Sequence, residues 1–424
     1  MFPGLARSAL TRATHRLLQF GDESLTDEVT VSDGPTLLYI HVPYCEHLCP
    51  YCSFHRVRYQ ESLAITYFKA LQKEISAYAE AGFRFTEIYV GGGTPTVNLA
   101  ALEDTLSLTR ASFDIEAISV ETNPDHLTEA NCRRLRSAGV DRLSVGVQTF
   151  DDQLLHNMGR LEFYGNGESI RQRIHAVKDI FPTLNIDMIF NLPGQTEDLL
   201  LRDLAAFHES GANQVSCYPL MVSDSVRERV TREMGRFSRA REESMYYLIL
   251  DTLSESLRPS SVWCFGANEG QIDEYLVDHD EFIGVGSGAF SYTGGRLYAT
   301  SFSILGYDQI MLESRTGVTR SRSLTPREKR YYRALMMLFS TRASTEAVEK
   351  AGLTLLFQVL RLAGIVKIDG NQYTLTRRGY YYSVVAMSEF LNGVNNLRDE
   401  MRAHIPEEVK GSYGDVQPIK VQGE

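Results

Sequence analysis

Residues 39–52 read Tyr39-Ile-His-Val-Pro-Tyr-Cys45-Glu-His-Leu-Cys49-Pro-Tyr-Cys52. The apolar run at residues 37–40 predicts a buried strand that enters this motif. Three cysteines with the spacing C-x3-C-x2-C would then lie in the loop at the carboxyl end of that strand. Because the catalytic groups of β/α barrels collect in such loops, the cysteines are the first candidates for a functional site.

Three thiols at this spacing favour an iron–sulfur cluster. Thiolates usually hold all four irons of a [4Fe–4S] cluster, so Cys45, Cys49 and Cys52 alone would leave one iron open to another ligand. A structural zinc site is the alternative, because His55 could complete a Cys3His ligand set. We expect the iron–sulfur cluster, since nothing else in the sequence resembles a zinc finger.

The composition indicates a globular chain that does not bind nucleic acid. The 424 residues are 43% hydrophobic and 23% charged, with a formal net charge of −11. Phosphate neutralisation needs a basic surface, so we expect no nucleic-acid partner. The six cysteines and an oxygen-sensitive cluster predict a reducing cytoplasm. No apolar run is long enough to span a bilayer.

The N-terminal segment, residues 1–34, combines basic and apolar side chains. Its first 21 residues contain Arg7, Arg12 and Arg16 and no acid. The apolar side chains share one side of a helical wheel: Ala6, Ala9, Leu10, Ala13, Leu17 and Phe20. We expect a helix that packs over the catalytic domain. The alternative is a peripheral contact with the inner face of the membrane through residues 1–20.

Residues 35–230 show short apolar segments with helix-like intervals between them. Strands are predicted at residues 37–42, 87–90, 118–122, 142–147, 184–190 and 214–218. This alternation predicts an α/β fold, a partial (β/α)6 barrel whose open side can admit a large substrate. Each strand ends in glycine or polar residues, most clearly Gly91-Gly-Gly-Thr-Pro-Thr96. Glycines there would let the backbone approach a ligand closely.

Residues 231–320 are predicted to be an extension that closes the barrel. The glycine-rich segment 282–291 would be a strand or loop over the open side. It does not match the dinucleotide-binding pattern, because no βαβ unit with a trailing acidic residue follows it. Residues 405–424, which are polar, predict a mobile tail.

Residues 321–404 predict a winged-helix-like α+β domain. Three helical patterns precede a short hairpin, at residues 327–339, 345–351, 355–363 and 365–376. Such domains often bind DNA, but this one belongs to an acidic chain. We therefore expect it to act as a lid that grips the substrate.

From Tyr39 to about Ser291 the chain resembles the radical S-adenosylmethionine (SAM) family typified by oxygen-independent coproporphyrinogen III oxidase. That family also contains haem chaperones and the class C radical SAM methyltransferases. The resemblance rests on Tyr39-Ile-His-Val-Pro-Tyr-Cys45, Gly91-Gly-Gly-Thr-Pro-Thr96, Glu121, Gly146-Val-Gln-Thr-Phe150 and Asn185-Ile-Asp-Met-Ile-Phe-Asn-Leu-Pro-Gly194. It implies a radical SAM barrel, a [4Fe–4S] cluster with three cysteine ligands, SAM on the open iron, and a reduced flavodoxin or ferredoxin-type electron donor.

The resemblance also implies that one site can hold two SAM molecules. By motif position, the first SAM would contact the cluster iron, Tyr39, Glu121 and the segment around Phe290. The second would contact Tyr51, Gly92, Gly93, Thr94, Gln148, Arg160, Asp187 and Pro219.

Two departures from the family pattern favour its methyltransferase branch. The oxidase has a further cysteine where this chain has Phe54, and the haem chaperones have a His-Asn-x-x-Tyr-Trp motif where this chain reads Gly266-Ala-Asn-Glu-Gly-Gln271. We therefore expect a class C radical SAM methyltransferase that acts on an sp2 carbon of an aromatic substrate. Cys217 is the candidate proton or hydrogen relay, and its alternative is a small buried core residue.

The methyl acceptor is predicted from one further segment. Residues 275–292 resemble those of a subgroup that methylates menaquinone at C-8, and the amphipathic N-terminus would suit a lipophilic quinone. The alternatives are a coproporphyrinogen III oxidase-like enzyme of haem synthesis and a haem chaperone.

Overall fold

The computed structural model describes residues 2–20, 29, 36–236, 238–268 and 281–405. The predicted tail lies outside these residues apart from its first position. Part of the segment 266–271 and part of the segment 275–292 also lie outside them.

Helices and strands alternate along the described residues. The α-helices are α1 (Phe2–Leu17), α2 (Glu61–Glu80), α3 (Leu99–Ser112), α4 (Glu129–Ser137), α5 (Asp152–Asn157), α6 (Leu161–Tyr164), α7 (Gly167–Val177), α8 (Glu197–Ser210), α9 (Asp224–Glu233), α10 (Glu242–Ser254), α11 (Ile304–Glu313), α12 (Pro326–Phe339), α13 (Thr345–Lys350), α14 (Thr354–Leu362) and α15 (Arg377–Ala403). The strands are β1 (Thr36–Val42), β2 (Tyr44–Cys45), β3 (Val57–Arg58), β4 (Phe85–Gly92), β5 (Ala117–Thr122), β6 (Arg142–Gln148), β7 (Thr183–Phe190), β8 (Gln214–Pro219), β9 (Arg258–Pro259), β10 (Cys264–Gly266), β11 (Phe282–Val285), β12 (Phe290–Thr293), β13 (Arg296–Thr300), β14 (Val318–Ser323), β15 (Arg342–Ser344), β16 (Val366–Asp369) and β17 (Gln372–Leu375).

The centre of the molecule is a parallel sheet in the order β1-β4-β5-β6-β7-β8. All residues of β1 are buried, as expected for a parallel strand covered on both faces. The carboxyl ends of these strands meet at one edge of the sheet, and β1 brings the cysteine loop to that edge. The predicted α/β class and its strand–helix alternation are therefore confirmed.

The glycine-rich segment forms a strand that lengthens the sheet beside β1. β11 pairs in parallel with β1, from Leu37 opposite Phe282 to Ile40 opposite Val285. A Cβ atom at Gly284 would lie 2.1 Å from the carbonyl oxygen of Phe290, so a glycine is needed where β11 and β12 approach each other. The antiparallel strands β12–β14 continue this edge, and β10 and β9 continue the other edge after β8.

The C-terminal unit has helices and a hairpin close to the predicted positions, and one long helix that was not predicted. Strands β15, β17 and β16 form its small sheet. Helix α12 begins with a capping box between Thr325 and Glu328. Helix α15 has 27 residues, and residues 383–390 within it are all buried. A helix that is buried on all sides lacks the amphipathic pattern from which helices are predicted.

The N-terminal helix α1 packs against α15. Leu17 and Leu18 are buried, and Arg7 forms ion pairs with Glu242 and Glu389. The expected helix is therefore present, but its packing partner is α15 of the C-terminal unit, whereas we expected the catalytic domain. Within the described part of the chain, no helix combines the length and the apolar character needed to cross a bilayer.

We predict that Glu389→Ala lowers the free energy of unfolding by about 3 kcal/mol, because it removes one of the two carboxylates that pair with the largely buried guanidinium of Arg7. The Glu389 carboxylate accepts hydrogen bonds from Arg7 at 2.9 Å, Thr11 at 2.8 Å and Arg239 at 3.1 Å. The matched control is Glu80→Ala, which removes an exposed ion pair with Arg315 and should cost less than about 1 kcal/mol. Chemical denaturation of both variants measures the difference, and equal losses would contradict the prediction.

Candidate active site

A cavity lies at the carboxyl edge of the parallel strands, between the cysteine loop and α15. Its lining comes from the loop after β1, from the ends of β4–β8 and from α15. Cys45, Cys49 and Cys52 are all part of this lining, and all three are free thiols. The sheet therefore places the predicted cluster ligands where the strand ends converge.

The cysteine loop is held by hydrogen bonds from basic and hydroxyl groups. The Arg56 guanidinium donates to the carbonyl oxygens of Cys49 and, at 3.1 Å, of Cys52. The Thr94 hydroxyl lies 3.5 Å from Cys45 Sγ. Burial raises the pKa of the Cys45 thiol to about 12, so metal binding has to displace its proton. A loop with three converging thiols and nearby positive charge fits an anionic iron–sulfur cluster.

The structure does not support the zinc alternative. His55 is buried and its Nε2 atom lies 3.3 Å from the Ser287 hydroxyl, with its ring against Phe302. His55 therefore has a packing role behind the loop.

The three glycines at the carboxyl end of β4 are required by the protein's own packing. A Cβ atom at Gly91 would lie 2.9 Å from the Glu121 carboxylate, and one at Gly92 would lie 2.7 Å from the His41 ring. At Gly93 it would lie 2.5 Å from the carbonyl oxygen of Tyr44. Gly92 and Gly93 also line the cavity, so close packing and access to a ligand both depend on this turn.

Two partly buried carboxylates face the cavity. Glu121 accepts hydrogen bonds from the Tyr89 hydroxyl at 2.9 Å and from the Gly92 amide at 3.2 Å. Burial and the nearby charge of Asp187 raise the pKa of Glu121 to about 7. Asp187 accepts hydrogen bonds from Ser144 at 2.8 Å and from Asn185 at 2.8 Å. Burial raises the pKa of Asp187 as well. Each carboxylate keeps lone pairs that can accept hydrogen bonds from a bound ligand.

Gln148 reaches the cavity from an irregular position at the end of β6. Its φ angle is +75°, and the pairing of β6 with β7 shifts register between Gly146 and Gln148. Such a bulge redirects a side chain next to a binding site. The strained conformation is consistent with a functional position for Gln148.

Arg160 already uses its guanidinium within the protein. It donates to the carbonyl oxygen of Gly146, to Asn123 Oδ1 at 3.2 Å and to the Tyr51 hydroxyl at 3.3 Å. The guanidinium also stacks over the ring of Tyr164 at 4.1 Å. Arg160 therefore joins the cysteine loop to the end of β6, in addition to lining the cavity.

Most residues expected to contact SAM share this cavity. Those that line it are Tyr39, Tyr51, Gly92, Gly93, Glu121, Gln148, Arg160, Asp187 and Pro219. Thr94 and Phe290 are not in the lining; Thr94 contacts Cys45, and Phe290 lies beside Arg398. The SAM contacts themselves stay predictions.

Cys217 lies on the other face of its strand. Its neighbours Ser216 and Tyr218 lie 3.3 Å and 3.5 Å from Asn185 and Asp187, on the cavity side. Because successive side chains of a strand alternate between faces, Cys217 belongs to the core and is not part of the cavity lining. The relay prediction therefore has no geometric support, and the core interpretation fits.

Sequence reasoning missed the wall that α15 forms. Four residues of this helix line the cavity with helical spacing: Met387, Leu391, Asn395 and Arg398. Trp263, Leu220 and Met221 add to the same lining. No motif marks the α15 residues or Trp263, because they reach the cavity only through the packing of distant segments.

Comparison with known proteins agrees with this geometry. The sequence profile of the radical SAM superfamily matches residues 39–207. The heme chaperone HemW of Bacillus subtilis is 31% identical over 271 residues, which cover 61% of this chain and 71% of HemW. The oxygen-independent coproporphyrinogen III oxidase of Escherichia coli is 31% identical over 208 residues, which cover 47% of this chain and 45% of that protein.

A solved structure extends the match to most of the chain. Coproporphyrinogen III oxidase (HemN) from Escherichia coli superimposes with a TM-score of 0.69 at 20% identity, covering 90% of this chain and 93% of HemN. The fold and the site thus define a radical SAM protein. The chain belongs to the HemN/HemW-like, coproporphyrinogen oxidase-like family of that superfamily. Membership implies a [4Fe–4S] cluster and SAM.

We predict that Glu121 makes the stability of the cluster-free, SAM-free protein depend on pH. Its pKa rises from an ordinary value of 4.5 to about 7 on folding, so the folded state holds the proton more tightly. The stabilisation is complete below pH 4.5 and is lost as pH rises through 7, by up to roughly 3 kcal/mol. Glu121→Gln should make the free energy of unfolding depend less on pH, as measured by chemical denaturation between pH 5 and 7.5. Parallel profiles for the two proteins would contradict the prediction.

Proposed function

We propose that the protein is a radical SAM methyltransferase that uses two SAM molecules to methylate an sp2 carbon of an aromatic substrate, with C-8 of menaquinone as the expected acceptor. The observation that carries this proposal is the apolar wall formed by α15 and Trp263. Trp263, Met387 and Leu391 give that wall an apolar surface. Such a surface suits the face of a flat ring that carries an alkyl chain.

The cations of the cavity also favour a substrate with few negative charges. Among the described lining residues the arginines are Arg56, Arg160 and Arg398, and there is no lysine. Arg56 and Arg160 donate to the cysteine loop, whereas Arg398 belongs to the α15 wall. A porphyrinogen with four carboxylates would need more positive charge near it. A quinone presents only two ring oxygens.

The chain's own residues bind and orient the reacting groups. When bound, the cluster and SAM supply one-electron cleavage of SAM to a carbon-centred radical. Asp187, which accepts hydrogen bonds from Ser144 and Asn185, would also accept hydrogen bonds from the ribose hydroxyls of SAM. The apolar residues of α15 would exclude water from the substrate and so protect a radical from side reactions.

A haem-related function is the second candidate, and the comparisons favour it over methylation of a quinone. The relatives carry the names heme chaperone and oxygen-independent coproporphyrinogen III oxidase. A haem-related function predicts either decarboxylation of coproporphyrinogen III or stoichiometric binding of haem.

We predict that the anaerobically reconstituted protein methylates a short-chain menaquinol when supplied with SAM and a reductant. With SAM that carries a trideuterated methyl group, 5'-deoxyadenosine should gain one deuterium, because the hydrogen is taken from the methyl group of the second SAM. Mass spectrometry of the nucleoside and of the quinone measures both products. Cys45→Ala should abolish both, whereas Cys132→Ala, a substitution at a buried thiol far from the motif, should not.

The same assay separates the two candidates. Decarboxylation of coproporphyrinogen III or tight haem binding, without methylated quinone, would overturn the methyltransferase proposal in favour of the haem-related function. Methylated quinone together with deuterium-free 5'-deoxyadenosine would contradict hydrogen abstraction from the second SAM, while methylation of the quinone would stand.

A further inference from the structure

Helix α14 in the C-terminal unit displays a row of apolar side chains to solvent. The exposed fractions are 75% for Leu355, 53% for Val359 and 84% for Leu362, and Leu356 beside them is 40% exposed. Phe357, on the opposite face, anchors the helix to the small sheet through Tyr373, with ring centroids 5.0 Å apart. The helix is thus apolar on both sides, which is unusual for a surface helix of a soluble domain.

The exposed apolar side chains of α14 follow one another at helical spacing. Leu355, Leu356, Val359 and Leu362 form the surface that we call the α14 patch.

The charges at the end of α14 are positive. Helix α14 contains Arg361 and no acidic residue. Arg378, at the start of α15, donates to the carbonyl oxygen of Ala363 at 3.3 Å, directly after the end of α14. Both arginines are exposed. A basic edge on an apolar patch stands out in a chain with a net charge of −11.

We propose that the α14 patch docks the protein on an anionic lipid surface. Leucine and valine side chains would enter the boundary between headgroups and acyl chains, and Arg361 and Arg378 would lie against the phosphates. In a winged-helix-like unit α14 has the position of a helix that could enter DNA, but leucines offer no hydrogen bonds to base edges. This inference goes beyond methyl transfer and does not depend on which substrate the cavity binds.

Co-sedimentation of the full-length protein with vesicles tests the proposal. We expect binding to vesicles of phosphatidylcholine with phosphatidylglycerol, weaker binding to phosphatidylcholine alone, and weakening by salt. Leu355→Gln combined with Leu362→Gln should lower the partition coefficient by roughly tenfold or more. The matched control is Leu312→Gln, which changes an isolated leucine on α11 that is 70% exposed and should leave binding unchanged.

Three results would overturn the proposal. One is no binding of the wild-type protein to anionic vesicles, and another is equal binding by the double variant. The third is a wild-type dimer in vesicle-free solution that light scattering shows to be a monomer in the double variant, which would assign the patch to a second copy of the chain. Since the substitutions lie in exposed positions, a circular dichroism spectrum identical to wild type will show that the fold is retained.

Discussion

The buried guanidinium of Arg160 joins the two parts of the molecule on which the site depends. It is 2% exposed and hydrogen-bonds both to the cysteine loop, through Tyr51, and to the end of β6, through Gly146. A buried cation has to keep its hydrogen-bond acceptors, so the loop and the strand end hold a fixed relation to each other. That relation brings the cysteines, Glu121 and Asp187 to one cavity.

The strand ends and the cysteine loop line only part of that cavity, and a segment distant in the sequence lines the rest. Helix α15 supplies it, with Met387 and Leu391 as apolar residues and Arg398 as the cation. The same helix is packed against α1, which ties the N-terminal segment to this wall of the cavity. The sheet and α15 thus form two different walls of one cavity.

Local signals predicted the sheet and the position of the cysteine loop at its carboxyl edge. The run before Tyr39 and the polar strand ends mark elements whose position follows from their own residues. Helix α15 and Trp263 could not be assigned in this way, because their contribution depends on contacts between segments far apart in the sequence. Cys217 shows a second limit. Its strand was predicted correctly, but the face of the sheet on which its side chain lies depends on the register between this strand and the strand that carries Asp187.

Electron paramagnetic resonance of the reduced, reconstituted protein with and without SAM most directly tests a three-cysteine cluster with an open iron. If SAM binds the iron that Cys45, Cys49 and Cys52 leave open, saturating SAM will change the g values of the reduced [4Fe–4S] signal. A spectrum that SAM leaves unchanged, with the cluster fully assembled, would contradict this arrangement.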